Sequence, residues 1–268
     1  MNQQSWVPEG IDTEVPNSAR VYDYLLGGGH NFAADRRLAA QVEVATTGAR
    51  DVARLNRSFL RRAVQFLVDS GVQQFLDLGS GVPTVGNVHE IAQQADEQAR
   101  VVYVDKEPVA VAHSRMLLEG NERATVIQAD LCEPEAVLQA AETRELLDFE
   151  APIGLLTVSV LHWMSDERRP REIVAAYRDR LAAGSCLVLS HVTADFRPEG
   201  MAATVDIFKR SADGLHPRSR EEILELFDGF DLVEPGLVRT ALWRPESPED
   251  VGSDSEHSEI VAGVGCKP

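Results

Sequence analysis

With 268 residues, 44% of them hydrophobic, the chain has enough material for one large domain or one domain with a cap. It holds no run near the roughly 20 apolar residues a membrane span needs. Its opening residues, MNQQSW, lack the basic and apolar regions of a secretory signal, so cytoplasmic residence is the default expectation. A net charge of −17 repels phosphate backbones at long range and argues against a nucleic-acid partner.

In chain order, residues 1–60 read as a cap and 61–268 as the main domain. Residues 17–37 form a dense mixture of aromatic, glycine and charged positions. Residues 51–69 then read as a helix, with Val52, Leu55, Phe59, Ala63 and Phe66 on one face and Arg54, Arg57 and Arg61 on another. From residue 75 short apolar runs alternate with longer amphipathic ones. Strands are expected at 75–78, 101–104, 124–127, 153–160 and 186–190, and helices at 85–95, 108–118, 134–147 and 169–181. That alternation predicts a parallel sheet covered by helices on both faces.

The end of the chain departs from this rhythm. Residues 218–227 read as a helix with Ser219 as N-cap before Glu221 and Glu222. Strand material follows at 230–233, 237–243 and 260–264. Between residues 245 and 259 lie Glu246, Glu249, Asp250, Asp254, Glu256 and Glu259 with no lysine or arginine, which reads as a solvated loop joining two terminal strands in an antiparallel hairpin. Cys132, Cys186 and Cys266 are widely separated and odd in number. They offer neither a C-x-x-C pair for zinc nor a disulfide framework, and read as free thiols.

The first strand runs directly into Asp77-Leu78-Gly79-Ser80-Gly81-Val82-Pro83-Thr84. Gly79 and Gly81 permit a tight turn that a ligand can approach closely. The second strand ends in Asp105, where a carboxylate can accept both hydroxyls of a ribose, and the third leads into Asp130-Leu131, suited to an adenine amino group. A dinucleotide fingerprint requires a third glycine, and Thr84 stands there instead. S-adenosylmethionine (SAM) carries no phosphate and tolerates that loss, and Asp77 could fix its ammonium group. The expected cofactor contacts along these strand ends are Asp77, Gly79, Ser80, Gly81, Pro83, Asp105, Lys106, Asp130, Leu131 and Ser159.

Together with the segments 17–28, 31–36, 77–90, 103–105, 160–162, 184–185 and 235–245, this pattern resembles, over nearly the whole chain, a SAM-dependent methyltransferase family long carried as a domain of unknown function. The resemblance implies an α/β, Rossmann-like class I fold, with a seven-stranded, mostly parallel sheet and SAM at its carboxyl edge. It supplies no acceptor. Two departures from the family pattern are Lys106-Glu107 in place of Asn-Asp and Cys132 in place of Arg.

His162 is the candidate general base. Its segment, Leu161-His162-Trp163, is similar to the histidine motif of small-molecule O-methyltransferases, in which the histidine takes the acceptor's proton. There an acidic residue follows directly, whereas Trp163 follows here, and a packing or capping role for His162 stays open. Arg20, Tyr22 and Asn31 are candidates for touching SAM or substrate, since an arginine holds a carboxylate in a fork and a tyrosine face can meet a sulfonium. Asn56 and Arg57 could serve the same carboxylate or form a solvated helix face. Gly27-Gly28-Gly29 lacks the ending of a phosphate loop, and His89-Glu90 is no zinc motif because Gln93 stands where the second histidine belongs, so no metal site is expected. His191 reads as a satisfied structural histidine, and Trp6, Trp163 and Trp243 as packing. The expectation is a SAM-dependent methyltransferase of a small molecule, oxygen acceptors slightly favoured. An NAD(P)-linked oxidoreductase and a non-catalytic SAM sensor are the alternatives.

Overall fold

Five short runs of aliphatic and β-branched residues have no polar face to present to water, and they pair as the buried interior of a sheet. They are β1 (Gln74–Leu78), β2 (Arg100–Asp105), β3 (Ala124–Gln128), β4 (Gly154–Val158) and β5 (Cys186–Val192), parallel and ordered β3-β2-β1-β4-β5. The chain then adds β6 (Asp231–Leu232), β7 (Val238–Arg239) and β8 (Ile260–Cys266). β8 lies antiparallel beside β5, and both β6 and β7 pair with β8. The computed structural model describes residues 7, 8, 10–84, 86–247, 251 and 258–268.

The sheet thus has eight strands where seven are expected, and the reason is local. β6 and β7 occupy one edge position, β6 against the end of β8 and β7 against its beginning. Between them lie Pro235, which has no N–H to donate, and Gly236, whose φ of +80° turns the chain. One edge strand is therefore split in two. The terminal hairpin is present as this split strand against β8, while most of the acidic connection, including Glu249, Asp250, Asp254 and Glu256, lies outside the described residues, as does Trp6.

The chain begins with α1 (Ser18–Leu25), α2 (Ala33–Ala45) and α3 (Ala49–Asp69). Between the strands run α4 (Val88–Ala95), α5 (Pro108–Leu117), α6 (Pro134–Gln139), α7 (Ala141–Leu146) and α8 (Pro170–Arg178), and after β5 come α9 (Pro198–Phe208) and α10 (Arg220–Glu225). Because side chains alternate across a strand, neighbouring residues serve opposite cores. Phe75, Val101, Leu156 and Val188 pack with α3, α4 and α5, whereas Leu76, Val102, Leu155 and Leu187 pack with α6, α8 and α10. The single helix expected over 134–147 is broken at Ala140, whose ψ of 139° is extended. Ser219 caps α10 as expected, accepting from Glu222 N while Glu222 reaches back to Ser219 N.

A third core lies above the carboxyl ends of the strands. Val21, Leu25, Leu38, Ala39, Val42, Ala49 and Ala53 from the first three helices close on Met201 and Phe208 of α9 and on Leu215. The expected boundary, residue 60, lies inside α3, whose first turns pack in the cap core and whose Phe59, Ala63 and Leu67 lie against the sheet. The cap is also completed by α9, far along the chain. The buried face of α3 is rotated from the expected one, because Ala53, Asn56, Leu60, Val64 and Leu67 are buried while Val52, Leu55 and Phe66 are only partly so.

The free-thiol reading fails for two of the three cysteines. Cys186 and Cys266 stand opposite each other in the β5–β8 register and form a disulfide across a sequence separation of 80. Neighbouring backbone bonds run from Cys186 N to Ile153 O and from Lys267 N to Ser185 O, so the cysteines sit at a non-hydrogen-bonded pair, where opposed side chains come closest. Spacing along the chain gives no hint of that register. Cys132 is free. Among the described residues no helix is long and apolar enough to cross a membrane, and no cluster of His, Cys, Asp and Glu could hold a metal ion.

Candidate functional site

Chain order reverses between β1 and β4, and in open parallel sheets ligands bind just outside the strand ends at that point. A cavity of about 430 Å³ opens there under the cap. One end of its wall is built from Asp77, Gly79, Ser80, Gly81, Asp105, Lys106, Asp130, Leu131 and Ser159. The other end is apolar and aromatic: Tyr22, Leu25, Val42, Trp163, Met201, Phe208 and Leu215.

The turn after β1 is shaped by two glycines with left-handed φ, +70° at Gly79 and +68° at Gly81. Gly79 has a second reason to lack a side chain, since a Cβ there would collide with the side chain of Val160. Gly79 N and Ser80 N both donate to Val104 O, at 2.8 and 3.1 Å, which ties the turn to β2. Gly81 N donates to Asp105 Oδ2 at 2.7 Å, and Glu107 N donates to Oδ1 at 2.8 Å. Both carboxylate oxygens of Asp105 are thereby aimed, and each retains acceptor capacity for a ribose hydroxyl. Burial raises the Asp105 pKa, and the two backbone donors oppose that shift.

Asp77 is 7% exposed, and while its backbone belongs to the β1 ladder its carboxylate accepts no hydrogen bond from any described residue. Burial pushes its carboxyl up to about 7, with Arg57 opposing the shift and Asp105 adding to it. A buried acid without a donor, on a cavity wall, suits a ligand that brings a cation. Asp130 behaves differently. Burial tends to raise its pKa, but donors from Cys132 N at 2.9 Å and Arg168 Nη2 at 2.7 Å prevail, and it stays below the usual carboxylate range.

Other expected contacts divide clearly. Tyr22, Asn56 and Arg57 stand on the cavity wall. Asn56 Nδ2 donates to Tyr22 Oη at 2.9 Å, Ser190 Oγ donates to Asn56 Oδ1 at 2.7 Å, and Ser159 N donates to Ser190 Oγ at 3.0 Å. This chain of bonds fixes the cap helix α3 to the ends of β4 and β5. Arg20 and Asn31 are not on the wall. The Arg20 guanidinium is spent on Asp35, Glu107 and the carbonyl of Val15, at 2.9, 2.7 and 2.7 Å. Asn31 donates to Asp23 at 2.7 Å and to Gly28 O at 3.0 Å, inside the cap. Pro83 borders a small adjoining cleft with Ser80 and Gly81 rather than the cavity itself. Lys106 reaches the wall but is paired with Asp213 at 2.9 Å.

His162 lines the cavity, and its protonation state is legible. Val192 N donates to Nδ1 at 3.4 Å, so the proton of the neutral ring belongs on Nε2, which then donates rather than accepts. Burial, followed by His191 and Arg218, holds its pKa well below the usual histidine range. A ring in that tautomer is a hydrogen-bond donor and not a ready base. We expect histidine-detected NMR to find His162 neutral and Nε2-protonated from pH 8 down to pH 5. An Nδ1–H tautomer, or titration within that range, would restore the base. His191 is the satisfied structural histidine expected, its Nδ1–H donating to Val192 O at 2.7 Å and its Nε2 accepting from Arg218 at 2.9 Å.

Several site residues escaped sequence reasoning. Arg218 is buried and donates to Leu161 O, Met164 O and Asp166, which holds the His162 segment in place. Met201, Thr204 and Phe208 share one face of α9 at the spacing i, i+3, i+7 after Pro198, a signal that was available. Glu259, assigned to the solvated loop, is instead 5% exposed and lies on the cavity wall.

A parallel sheet of this order with an antiparallel last strand, a glycine turn after β1 and an acid ending β2 define a class I nucleoside-binding methyltransferase fold. The S-adenosyl methyltransferase family model matches residues 4–268, and the chain belongs to that family. S-adenosylmethionine is accordingly its cofactor, and the wall fits it: a donorless buried acid for the ammonium, aimed oxygens for the ribose and a bare backbone turn between them. The chain is similar to a candidate methyltransferase of Thermobifida fusca YX, with 41% identity, a TM-score of 0.92, and coverage of 98% of this chain and 99% of that one. It is also similar to a DUF574 family protein of Streptomyces avermitilis MA-4680, with 34% identity, a TM-score of 0.92, and coverage of 96% and 99%. An O-methyltransferase family protein of Burkholderia thailandensis, at 14% identity and a TM-score of 0.52 over 91% of this chain and 63% of that one, shares the fold. No curated protein matches in sequence.

Proposed function

We propose that the chain transfers a methyl group from S-adenosylmethionine to a small-molecule acceptor held in the apolar chamber beneath the cap. The observation that carries this reading is the continuity of one cavity, from Asp77 and Asp105 at the strand ends to Trp163, Met201, Phe208 and Leu215 under the cap. A non-catalytic sensor has no use for the second half of that cavity. When bound, the cofactor supplies an electrophilic methyl carbon on a sulfonium. Asp77 holds the ammonium, Asp105 the ribose and Asp130 the adenine edge, while the apolar walls exclude water and orient the acceptor.

A preference for oxygen acceptors rested on His162 as a base. With its proton on Nε2, His162 is better suited to orient the acceptor by donating a hydrogen bond. The reading therefore extends to any small acceptor with an available lone pair. Methyl-labelled SAM supplied to the protein with fractionated cell extract tests it. Label is expected in the low-molecular-weight fraction, and label confined to protein or nucleic acid would contradict it.

A further inference from the structure

Six carboxylates among the described residues are buried: Asp23, Asp35, Asp77, Asp105, Asp213 and Glu259. Three are satisfied by donors at both oxygens. Asp23 accepts only through Oδ2, from His30 N and Asn31 Nδ2, and its Oδ1, unpartnered among the described residues, lies inside the cap and off the cavity wall. Asp35 accepts from Asn17 N, Arg20 Nε and Phe32 N. Asp105 accepts from Gly81 N and Glu107 N, and Asp213 from Asn17, Ser18 and Lys106. Asp77 and Glu259 accept no side-chain hydrogen bond from a described residue, and both stand on the cavity wall. Asp77 is accounted for by the cofactor's ammonium. Glu259 is not.

Glu259 immediately precedes β8, next to Ile260, which pairs with Val192. Its carbonyl accepts from Thr193 N at 2.8 Å, which fixes the backbone beside the wall that carries Val192 and His162. Its one ion pair is with Arg197 Nε at 3.8 Å, beyond hydrogen-bond distance. Burial raises its pKa, and Arg197 only partly offsets this. The cations that do line the cavity are engaged elsewhere: Lys106 with Asp213, Arg168 with Asp130, and Arg57 with Gly86 O. A buried carboxylate left without donors costs free energy unless a ligand supplies one. Trp163 and Phe208, which line the same cavity and meet edge to face, offer faces to which a cation is attracted.

Resting on the methyltransferase reading above, we propose that Glu259 is the polar recognition residue of the acceptor chamber and that the acceptor carries a basic nitrogen. The carboxylate receives the nitrogen's N–H bonds while the acceptor's apolar body fills the chamber. An anionic acceptor is disfavoured by the same charge.

The test uses the full chain preloaded with S-adenosylhomocysteine and titrated at neutral pH with three probes of similar shape, phenethylamine, 2-phenylethanol and phenylacetate. The amine is expected to bind about tenfold more tightly than the alcohol, as a charge-assisted hydrogen bond allows, and phenylacetate least. Glu259→Gln is expected to erase the amine's advantage while leaving affinity for S-adenosylhomocysteine unchanged, which also shows that the variant is folded. Arg197→Ala should keep the advantage, because Arg197 is not what the carboxylate serves. An amine that binds no better than the alcohol, or not at all, overturns the assignment, as does an advantage that survives Glu259→Gln. Failure of the wild-type chain to bind S-adenosylhomocysteine would instead sink the methyltransferase reading beneath it.

Discussion

Asp77→Asn is expected to weaken binding of S-adenosylhomocysteine roughly a hundredfold or more, the scale of a buried charge pair that loses one partner. The same change should make the free protein more stable above neutral pH. The Asp77 carboxyl titrates at 3.8 when exposed and at about 7 in the folded chain. Between those values the folded protein holds a proton that the unfolded chain has released. Ionised Asp77 therefore costs stability, by an amount that grows from about pH 4 to about pH 7 and then levels off, with an upper bound of ~4 kcal/mol. Asparagine cannot ionise. The difference in Tm between variant and wild type should be small near pH 4, rise through that window and plateau above it. Ligand binding by the wild type should move the opposite way, tightening as pH rises towards 7, because the ammonium needs the ionised partner. A variant with unchanged affinity and no pH-dependent gain in Tm would remove Asp77 from the site.

The second large effect belongs to Gly79. An added Cβ meets two independent obstacles, a left-handed backbone at φ +70° and the side chain of Val160. The first costs about 1–2 kcal/mol and the overpacking about 1–3 kcal/mol. Gly79→Ala is thus expected to lose roughly 2–5 kcal/mol in denaturant unfolding and to lose cofactor binding with it. Adding Val160→Ala should recover the steric share and not the backbone share. A Gly79→Ala variant with wild-type stability would mean that the turn after β1 is not built as described.

What could be read from the sequence was what is decided locally. The five parallel strands, the glycine turn and Asp105 all rest on short-range pattern, and each appears where expected. Tyr22, Asn56 and Arg57 reach the cavity because they lie on cap helices that the strand ends orient. Arg20 went astray because a guanidinium is judged by its partners, and Asp35 and Glu107 come from other elements. Cys186 and Cys266 meet only through a strand register. Glu259 sits in a run of acids that looks solvated, yet it is buried where the chain enters β8. Pro235 and Gly236 break the edge strand locally, but the split also depends on β8 being long enough to bind both fragments.

The most direct test of the central claim is calorimetric titration of the purified chain with S-adenosylmethionine, S-adenosylhomocysteine and NAD, repeated on Asp105→Asn. Micromolar binding of both adenosyl ligands, with no binding of NAD and marked weakening in the variant, is the predicted result. Binding of NAD with silence toward the adenosyl pair, or adenosyl binding indifferent to Asp105, would contradict the account.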